Sequence, residues 1–161
     1  MSIRRHLAYL RYVLRHKYYV WRGCQIVGGL SLWRAIVHDW DKFLPDEWFP
    51  YARAFYAPDG NKQYVESPEF AAAWNKHQKR NRHHWQWHLI TWDRGDTEAL
   101  PMPEIDVREM AADWIGAGWA ITGNPDPRPW YEKNREKIKL HPASRELLEE
   151  LLLVAASQGG F

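Results

Sequence analysis

Residues 67–92 read SPEFAAAWNKHQKRNRHHWQWHLITW and carry the clearest helical pattern in the chain. Ser67 is a typical helix N-cap and Pro68 is favoured at the first helical position, so we predict a long helix that runs to about Trp92. Its apolar face continues, at steps of three or four residues, into nitrogen-bearing side chains. The members of this row are Phe70, Ala73, Trp74, His77, Asn81, His84 and His88. A row of histidines that faces a core is costly unless each ring is hydrogen-bonded or bound to a metal ion.

The segments before this helix also have helical spacing. A first helix of about five turns, which brings His16 near its end, is predicted from the row Ile3, Leu7, Leu10, Leu14 and Trp21. Ser31 is a plausible cap for a second helix that ends near His38–Asp39, and Pro45 is favoured in the first turn of a third helix.

The segments after it follow the same pattern. Asp106 and Glu109 have the spacing of a capping box at the start of a later helix. Two further helices are predicted near residues 130–138 and 144–157, with Gly159–Gly160 after the last one. No segment alternates as a strand would. We therefore predict an all-α fold: a single-domain helical bundle over residues 1–161, with six or seven helices. We expect its core in about residues 10–120, the helices of residues 130–157 packed on it, and most tryptophans in the interior, such as Trp33, Trp74 and Trp114.

The composition excludes several classes of protein. The chain has 161 residues, 45% of them hydrophobic and 26% charged, which excludes a disordered chain. The single cysteine, Cys24, excludes a disulfide framework and a zinc site with several cysteines. No run of 18 apolar residues occurs, so we expect no membrane span and a cytoplasmic protein.

Positive charge is concentrated near the start of the chain. The first acidic residue is Asp39, and the 38 residues before it contain seven arginines and lysines: Arg4, Arg5, Arg11, Arg15, Lys17, Arg22 and Arg34. Such a segment is compatible with a mitochondrial targeting sequence, a membrane-surface helix or a nucleic-acid arm, but one face of an ordinary first helix is the favoured interpretation. With the cluster formed by Lys76, Lys79, Arg80 and Arg82, it offers positive potential to a phosphate-bearing ligand.

Imidazole and carboxylate groups recur on separate predicted helices. In chain order they are His16, His38, Asp39, His77, His83, His84 and Asp113. Donors that arrive from four helices of a bundle can form a metal site in its core, and this donor set suits a divalent transition metal such as Mn, Fe, Ni or Zn. Each member alone has an ordinary alternative as a hydrogen-bonded core or surface residue, and Glu109 has one as a helix cap. The prediction rests on the ordered set.

This order resembles that of the HD-domain superfamily of metal-dependent phosphohydrolases. The segment His38-Asp39-Trp40-Asp41-Lys42 is similar to the family's His-Asp-x-x-Lys motif, and His16 and Asp113 match its first histidine and its closing aspartate. More narrowly, the chain resembles a family of small, mostly phage-encoded HD-like proteins. The segments that carry this likeness are His38–Phe43, Ala73–His77, Asn81–His84 and Glu109–Trp114.

The resemblance implies a role for each of these residues. His16, His38, Asp39 and Asp113 would bind a first metal ion, and Asp39 would bridge to a second ion held by His77 with His83 or His84. Asp39 and Lys42 would be catalytic, with Lys42 screening phosphate charge or orienting the nucleophile. Arg80, Arg82 and Asn81 would contact the substrate. Asn81 and Glu109 would support the metal ligands from outside.

The function implied is hydrolysis of a nucleotide or a similar small phosphate ester by a metal-bound hydroxide, with one or two divalent ions as cofactor. Two other classes stay open. One is a diiron oxygenase of the same superfamily. The other is a non-catalytic metal-binding phage protein that acts through a host protein, in the host cytoplasm. A small phosphorylated molecule is the expected partner, and nucleic acid is possible but not favoured.

Overall fold

A computed structural model describes residues 2–158, so the predicted Gly159–Gly160 end lies outside the described residues. This part of the chain has seven α-helices, which confirms the all-α prediction. They are α1 (Ile3–Val27), α2 (Leu32–Val37), α3 (Pro45–Phe55), α4 (Pro68–Arg80), α5 (Glu104–Thr122), α6 (Arg128–Asn134) and α7 (Pro142–Gln158). None of the described helices is both long enough and apolar enough to cross a bilayer.

Short elements fill the connections. Single 3₁₀ turns cover Trp40–Phe43, Trp85–His88 and Arg135–Lys137. The one small sheet of the described residues is an antiparallel hairpin of β1 (Leu89–Thr91) and β2 (Thr97–Ala99), in which Leu89 pairs with Ala99.

Helices α1 and α5 form the central contact, and two glycines set their distance. A Cβ atom on Gly116 would lie 2.5 Å from the backbone nitrogen of Val20, and one on Gly23 would lie 2.6 Å from the carbonyl oxygen of Ala112. Both distances are far below van der Waals contact. The two backbones therefore touch directly at these positions, which only glycine permits.

The buried face of α1 links two apolar clusters. Tyr9 and Val13 belong to a smaller cluster built with α3 and α4, and Val20, Cys24 and Val27 belong to a larger one built with α5 and α7. His16 lies between them on the same face and is 1% exposed. The interior thus has a polar layer between two hydrophobic parts.

Helix α1 forms as predicted, but the apolar row from which it was predicted is not its buried face. Ile3, Leu7 and Leu14 are exposed, and the helix reaches Val27, so His16 lies in its middle rather than near its end. Two rows of α1 contain apolar side chains. The row that also contains Gly23 is the buried one, because the backbone of α5 can pack closely against α1 only where α1 has no side chain.

The long helix predicted from Ser67 to Trp92 was also wrong in its second half, since α4 ends at Arg80. Asn81 takes an extended backbone conformation, with φ −109° and ψ 110°. Its side-chain amide donates to Asp41 Oδ2 at 2.6 Å and to the carbonyl of His77 at 3.0 Å. These contacts fix the C-terminal end of helix α4 at Arg80. His84 and His88 consequently do not continue the α4 face.

The predicted helix starts had mixed outcomes. Ser31 and Ser67 cap α2 and α4 through their side chains, and Pro45 opens α3, as expected. The capping box was wrong, because α5 begins at Glu104 after Pro103 and no side chain caps it. The carboxylates of Asp106 and Glu109 instead accept hydrogen bonds from other partners, chiefly Arg34 and His38.

The prediction that most tryptophans are internal was wrong as well. Trp33 and Trp74 are exposed, and Trp114 is half-buried at the edge of the larger cluster. An indole is seldom fully buried because of its size. Trp33 and Trp74 instead flank the polar centre described below.

The contact between α1 and α5 gives a stability test. We expect Gly116→Ala to lower the free energy of unfolding by about 1–3 kcal/mol, because the added methyl group must push two backbones apart. Gly118→Ala on the same helix is the control. Its Cβ would meet nothing closer than 3.7 Å, so we expect a gain of up to about 1 kcal/mol from helix propensity. Urea unfolding of both variants measures the difference, and equal effects would contradict the close contact.

Candidate metal centre

Seven buried side chains converge in the polar layer between the two apolar clusters. They come from α1, the end of α2, α4, the turn after α4, and α5. These are the residues predicted as metal ligands: His16, His38, Asp39, His77, His83, His84 and Asp113. They form two groups of four that share Asp39, and in each group the ligand atoms lie within 4.8 Å of one another. We call them site A (His16, His38, Asp39, Asp113) and site B (Asp39, His77, His83, His84).

Asp39 sits at the centre of both sites and has an unusual backbone. Its φ of 52° and ψ of 30° place it in the left-handed region, and no other non-glycine residue of the described chain has a positive φ. Aspartate and asparagine tolerate this region better than most residues. The turn ends α2 and directs the carboxylate into the interior, where Asp39 is 1% exposed.

The carboxylate of Asp39 has one oxygen on each site. In site A, Oδ2 lies 3.3 Å from both His16 Nε2 and His38 Nε2. The same two nitrogens lie 3.2 and 3.3 Å from Asp113 Oδ1. In site B, Oδ1 lies 3.4 Å from both His77 Nε2 and His83 Nε2. The carboxylate of Asp39 thus lies between site A and site B and contributes one oxygen atom to each.

Site B contains several buried polar atoms that have no hydrogen-bond partner. They are Asp39 Oδ1 and the Nε2 atoms of His77, His83 and His84. Buried polar atoms in proteins are nearly always satisfied, so four such atoms that face one point require an explanation. Three imidazole nitrogens and one carboxylate oxygen form a donor set that zinc and other divalent transition metals accept. The residues present therefore fit a metal ion.

Carboxylates behind the histidines orient their rings. His38 Nδ1 lies 3.0 Å from Glu109 Oε1, and His77 Nδ1 lies 2.9 Å from Glu47 Oε2 and 3.3 Å from Asp41 Oδ2. An Nδ1–H donated to a carboxylate leaves Nε2 as the free acceptor, which is the usual arrangement of ligand histidines. Glu47 is completely buried, so this contact is part of the interior.

The carboxylates and two of the histidines are in the protonation states of ligands. Burial opposes ionisation of Asp39 and Asp113, but nearby histidines, and Lys42 for Asp39, outweigh it and hold both pKa values well below the usual range. Burial lowers the pKa of His83 to about 4 and that of His84 well below its ordinary value. At neutral pH these two rings are neutral, as metal ligands must be.

His77 shows that the centre attracts positive charge. Burial opposes its protonation, but the charge of Asp39 and the hydrogen bonds that the ring donates to Asp41 and Glu47 raise its pKa to about 9. Likewise, burial opposes protonation of His38, and Asp39, Asp113 and Glu109 raise its pKa well above its ordinary value. The anionic groups of the layer thus favour a cation, whether a proton or a metal ion.

The predicted catalytic and substrate residues lie around the same centre. Lys42 is buried, with its Nζ 2.6 Å from Asp39 Oδ2. Asn81 lies against His77 and Asp41. Arg80 pairs with Asp46 and Glu47, and Arg82 pairs with Asp106, so both guanidinium groups already have anionic partners.

A cavity of about 400 Å³ opens onto the centre from the side of α2. His38, His83 and Glu109 form its inner wall. The outer lining consists of Ser31, Trp33, Arg34, Val37, Trp40, Arg80, Asn81 and Arg82. Its size is in the range of small-ligand sites.

Sequence reasoning missed Glu47 and gave Asp41 no role. Asp41 lies within the His38–Lys42 motif, and this position was the sequence feature that could have identified it as part of the site. Glu47 lies in the first turn of α3, where an acidic residue is common for electrostatic reasons, and nothing in its spacing marks it.

One protein family matches residues 5–154 of the chain, nearly its whole length. The chain belongs to the family of unknown function DUF5662. No curated protein and no solved structure matches it. Membership in DUF5662 specifies no activity, so the resemblance to the HD-domain superfamily stays a prediction.

The two sites of this DUF5662 protein predict binding of two metal ions per chain. Asp39→Asn should weaken both, because it removes the shared charge while asparagine keeps the left-handed backbone. His84→Ala should weaken only site B, leaving about one ion per chain. Calorimetric titration with Zn²⁺ or Mn²⁺, together with metal analysis, measures the stoichiometry.

His141→Asn is the matched control for these variants. His141 lies outside both sites, and its Nδ1 accepts from the backbone N–H of Ala143 at the start of α7, a capping role that asparagine also fills. It should bind metal like the parent. Parent-like binding by both Asp39→Asn and His84→Ala would show that the assignment is wrong.

The contribution of the buried carboxylate of Glu47 to metal binding can be tested separately in this DUF5662 protein. Glu47→Gln should weaken metal binding at site B by about 10–100-fold, because the ring loses its charged acceptor. Asp46→Asn is the adjacent control: Asp46 shares Arg80 with Glu47 but faces solvent. Competition with a chromophoric chelator compares the two, and equal affinities would rule out the supporting role of Glu47.

Proposed function

We propose that this protein is a metal-dependent phosphohydrolase that acts on a nucleotide or a similar small phosphate ester. One observation carries the proposal: a buried aspartate is shared between two four-donor groups, and the ligand atoms of site B have no other partner. Site A would hold one divalent ion through His16, His38, Asp39 and Asp113. Site B would hold a second through Asp39, His77, His83 and His84.

A pair of divalent ions supplies Lewis acidity and a water of lowered pKa, and paired sites of this kind are common in enzymes that cleave phosphoesters. The contribution of the chain is to fix the donors. Glu47 and Asp41 hold the ring of His77, and Glu109 holds that of His38. A ligand whose orientation is set in advance does not have to reorganise during the reaction.

Lys42 supports a phosphate substrate through its position. Its ammonium group is buried beside Asp39, and neighbouring anionic groups, despite the opposing effect of burial, raise its pKa well above its ordinary value. It therefore stays charged and balances the carboxylate next to the place where phosphate oxygens would bind.

The open cavity supports catalysis over a purely structural metal. Structural metal sites are closed by protein ligands, whereas catalytic sites keep access for a small molecule. Here His38 and His83 line a cavity of about 400 Å³. The exposed rings of Trp33 and Trp40 at its mouth are suited to stack on a base, and this favours a nucleotide among small phosphate esters.

Phosphate release from a panel of nucleotides, cyclic nucleotides and generic phosphodiesters tests the function, with Mn²⁺, Ni²⁺, Fe²⁺ or Zn²⁺ added. Activity should disappear with a chelator and return with metal. Asp39→Asn should lower the rate at least about a hundredfold, because several kcal/mol of charge stabilisation is lost. Lys42→Ala should cause a smaller loss, and His141→Asn should leave the rate unchanged.

The same assay separates the proposal from the two alternatives. No release above the Asp39→Asn background with any metal would overturn it. Bound iron with oxygen consumption would then indicate the oxygenase, and saturated metal without turnover would indicate the non-catalytic protein.

A further inference from the structure

Helix α1 has an apolar row that the interior does not use. Its buried face holds Tyr9, Val13, His16 and Val20, as described above. A second row on the same helix is exposed and consists of Ile3, Leu7, Leu14 and Tyr18, with the half-buried Leu10 between them. Ile3 is 74% exposed and Leu14 is 53% exposed. We call Ile3, Leu7, Leu10, Leu14 and Tyr18 the α1 stripe.

A row of arginines runs beside this stripe. Arg4, Arg11 and Arg15 each follow a residue of the α1 stripe directly, and Arg22 follows Trp21, one turn beyond its end. Successive helical residues differ by about 100°, so the arginines form a parallel row on the adjoining face. From Ile3 to Tyr18 the two rows extend about 22 Å at 1.5 Å per residue.

The arginine row has no anionic partner in the described part of the chain. Helix α1 contains no acidic residue, and none of these four arginines takes part in the ion pairs of residues 2–158. Arg15 and Arg22 instead lie over the rings of Tyr19 and Trp119. Most other arginines of the protein do pair, among them Arg34, Arg80, Arg82, Arg94, Arg108, Arg128 and Arg135. The positive charge of α1 is thus free for an outside partner.

We propose that α1 docks the protein onto an anionic membrane surface. The helix would lie flat, with the α1 stripe at the boundary between headgroups and acyl chains and the arginine row on lipid phosphates. Long apolar side chains next to Lys/Arg are what interfacial helices use, and arginine keeps its charged end at headgroup depth. Tyr18 adds an aromatic ring of the kind that is enriched at membrane interfaces.

The charge pattern selects this occupant over two others. A second copy of the chain would bring one arginine row near another, and like charges oppose that contact. A nucleic acid would satisfy the arginines through its phosphates but would leave the aliphatic side chains in water. An anionic bilayer satisfies both rows at once.

Helix α2 adds exposed apolar side chains at the edge of this surface. Lys17 of α1 donates from Nζ to the carbonyl of Ile36 at 3.0 Å and holds the end of α2 against α1. The exposed residues of α2 are Leu32, Trp33 and Ile36. Leu32 and Ile36 give the surface a second apolar contact region, whereas Trp33 belongs to the mouth of the cavity described above.

Co-sedimentation with vesicles tests the proposal on the full chain. Vesicles of phosphatidylcholine with phosphatidylserine should bind the protein, and vesicles of phosphatidylcholine alone should not. Raising the salt concentration should weaken binding, since the Debye length falls to about 3 Å at 1 M. Binding that ignores phosphatidylserine or salt would overturn the proposal.

Two double variants separate the contributions of the rows. Arg11→Gln/Arg15→Gln should weaken binding roughly thirtyfold, from the usual contribution of each basic residue at an anionic surface. Leu7→Gln/Leu14→Gln should weaken it at least tenfold or so, through the lost apolar contact. The matched controls are Lys139→Gln, a surface lysine without an ion pair among the described residues, and Leu153→Gln, an exposed leucine on α7. Both controls should bind like the parent.

Circular dichroism and metal binding show that each variant is folded, because neither row contacts sites A and B. A third measurement uses a labelled single-stranded oligonucleotide. If the protein binds it and ignores the vesicles, and Leu7→Gln/Leu14→Gln binds it like the parent, the arginine row serves nucleic acid and the membrane proposal is wrong.

Discussion

A charged carboxylate in the interior, that of Asp39, is the constraint on which the other contacts of the polar layer depend. An ionised carboxylate that leaves water loses several kcal/mol of solvation, which only close opposite charges and hydrogen bonds restore. Histidines surround both of its oxygens, and each histidine is buried and needs a partner for its other nitrogen. Glu109 and Glu47 are those partners for His38 and His77, and they in turn pair with Arg34 and Arg80. The alternation of charge thus continues outward from Asp39 until it reaches guanidinium groups that are partly in solvent.

This layer explains the shape of the hydrophobic core. Apolar contacts cannot continue through a set of charged groups, so the core divides into a smaller cluster and a larger cluster, joined by α1. A bundle divided in this way needs strong contact elsewhere. The direct backbone approach of α1 and α5 at Gly23 and Gly116 supplies it, a few residues from His16 and Asp113. The same glycines therefore hold the fold together and keep two elements of site A at a constant distance.

The sequence was sufficient for features that depend on local chemistry. Ser31, Ser67 and Pro45 mark helix starts because their effect is confined to one turn. The meeting of seven side chains that are far apart in the sequence was inferred differently, from the order of histidines and aspartates along the chain, and the structure brings these side chains into one layer. Local sequence chemistry was insufficient where contact with a residue distant in the sequence determines the structure. Asp106 and Glu109 have the spacing of a capping box, but Arg34 and His38 offer stronger contacts. The choice of the buried face of α1 depends on how closely α5 approaches. The role of Glu47 depends on its contact with His77, which is 30 residues away in the sequence. Such preferences leave no periodic signal in the sequence.

The wrong part of the long-helix prediction shows how site B arises. Along an unbroken α-helix, His77 and His84 would be separated by about 10 Å of rise, too far to share one ion. Because the helix ends at Arg80, the chain turns back, and the ring centres of His77 and His84 lie 4.8 Å apart. Asn81 makes that turn through its bonds to Asp41 and His77, so a residue of the His38–Lys42 segment fixes the break that completes the second site. A regular helix with the same histidines would have left site A alone, and Asp39 would have no second group of donors to bridge.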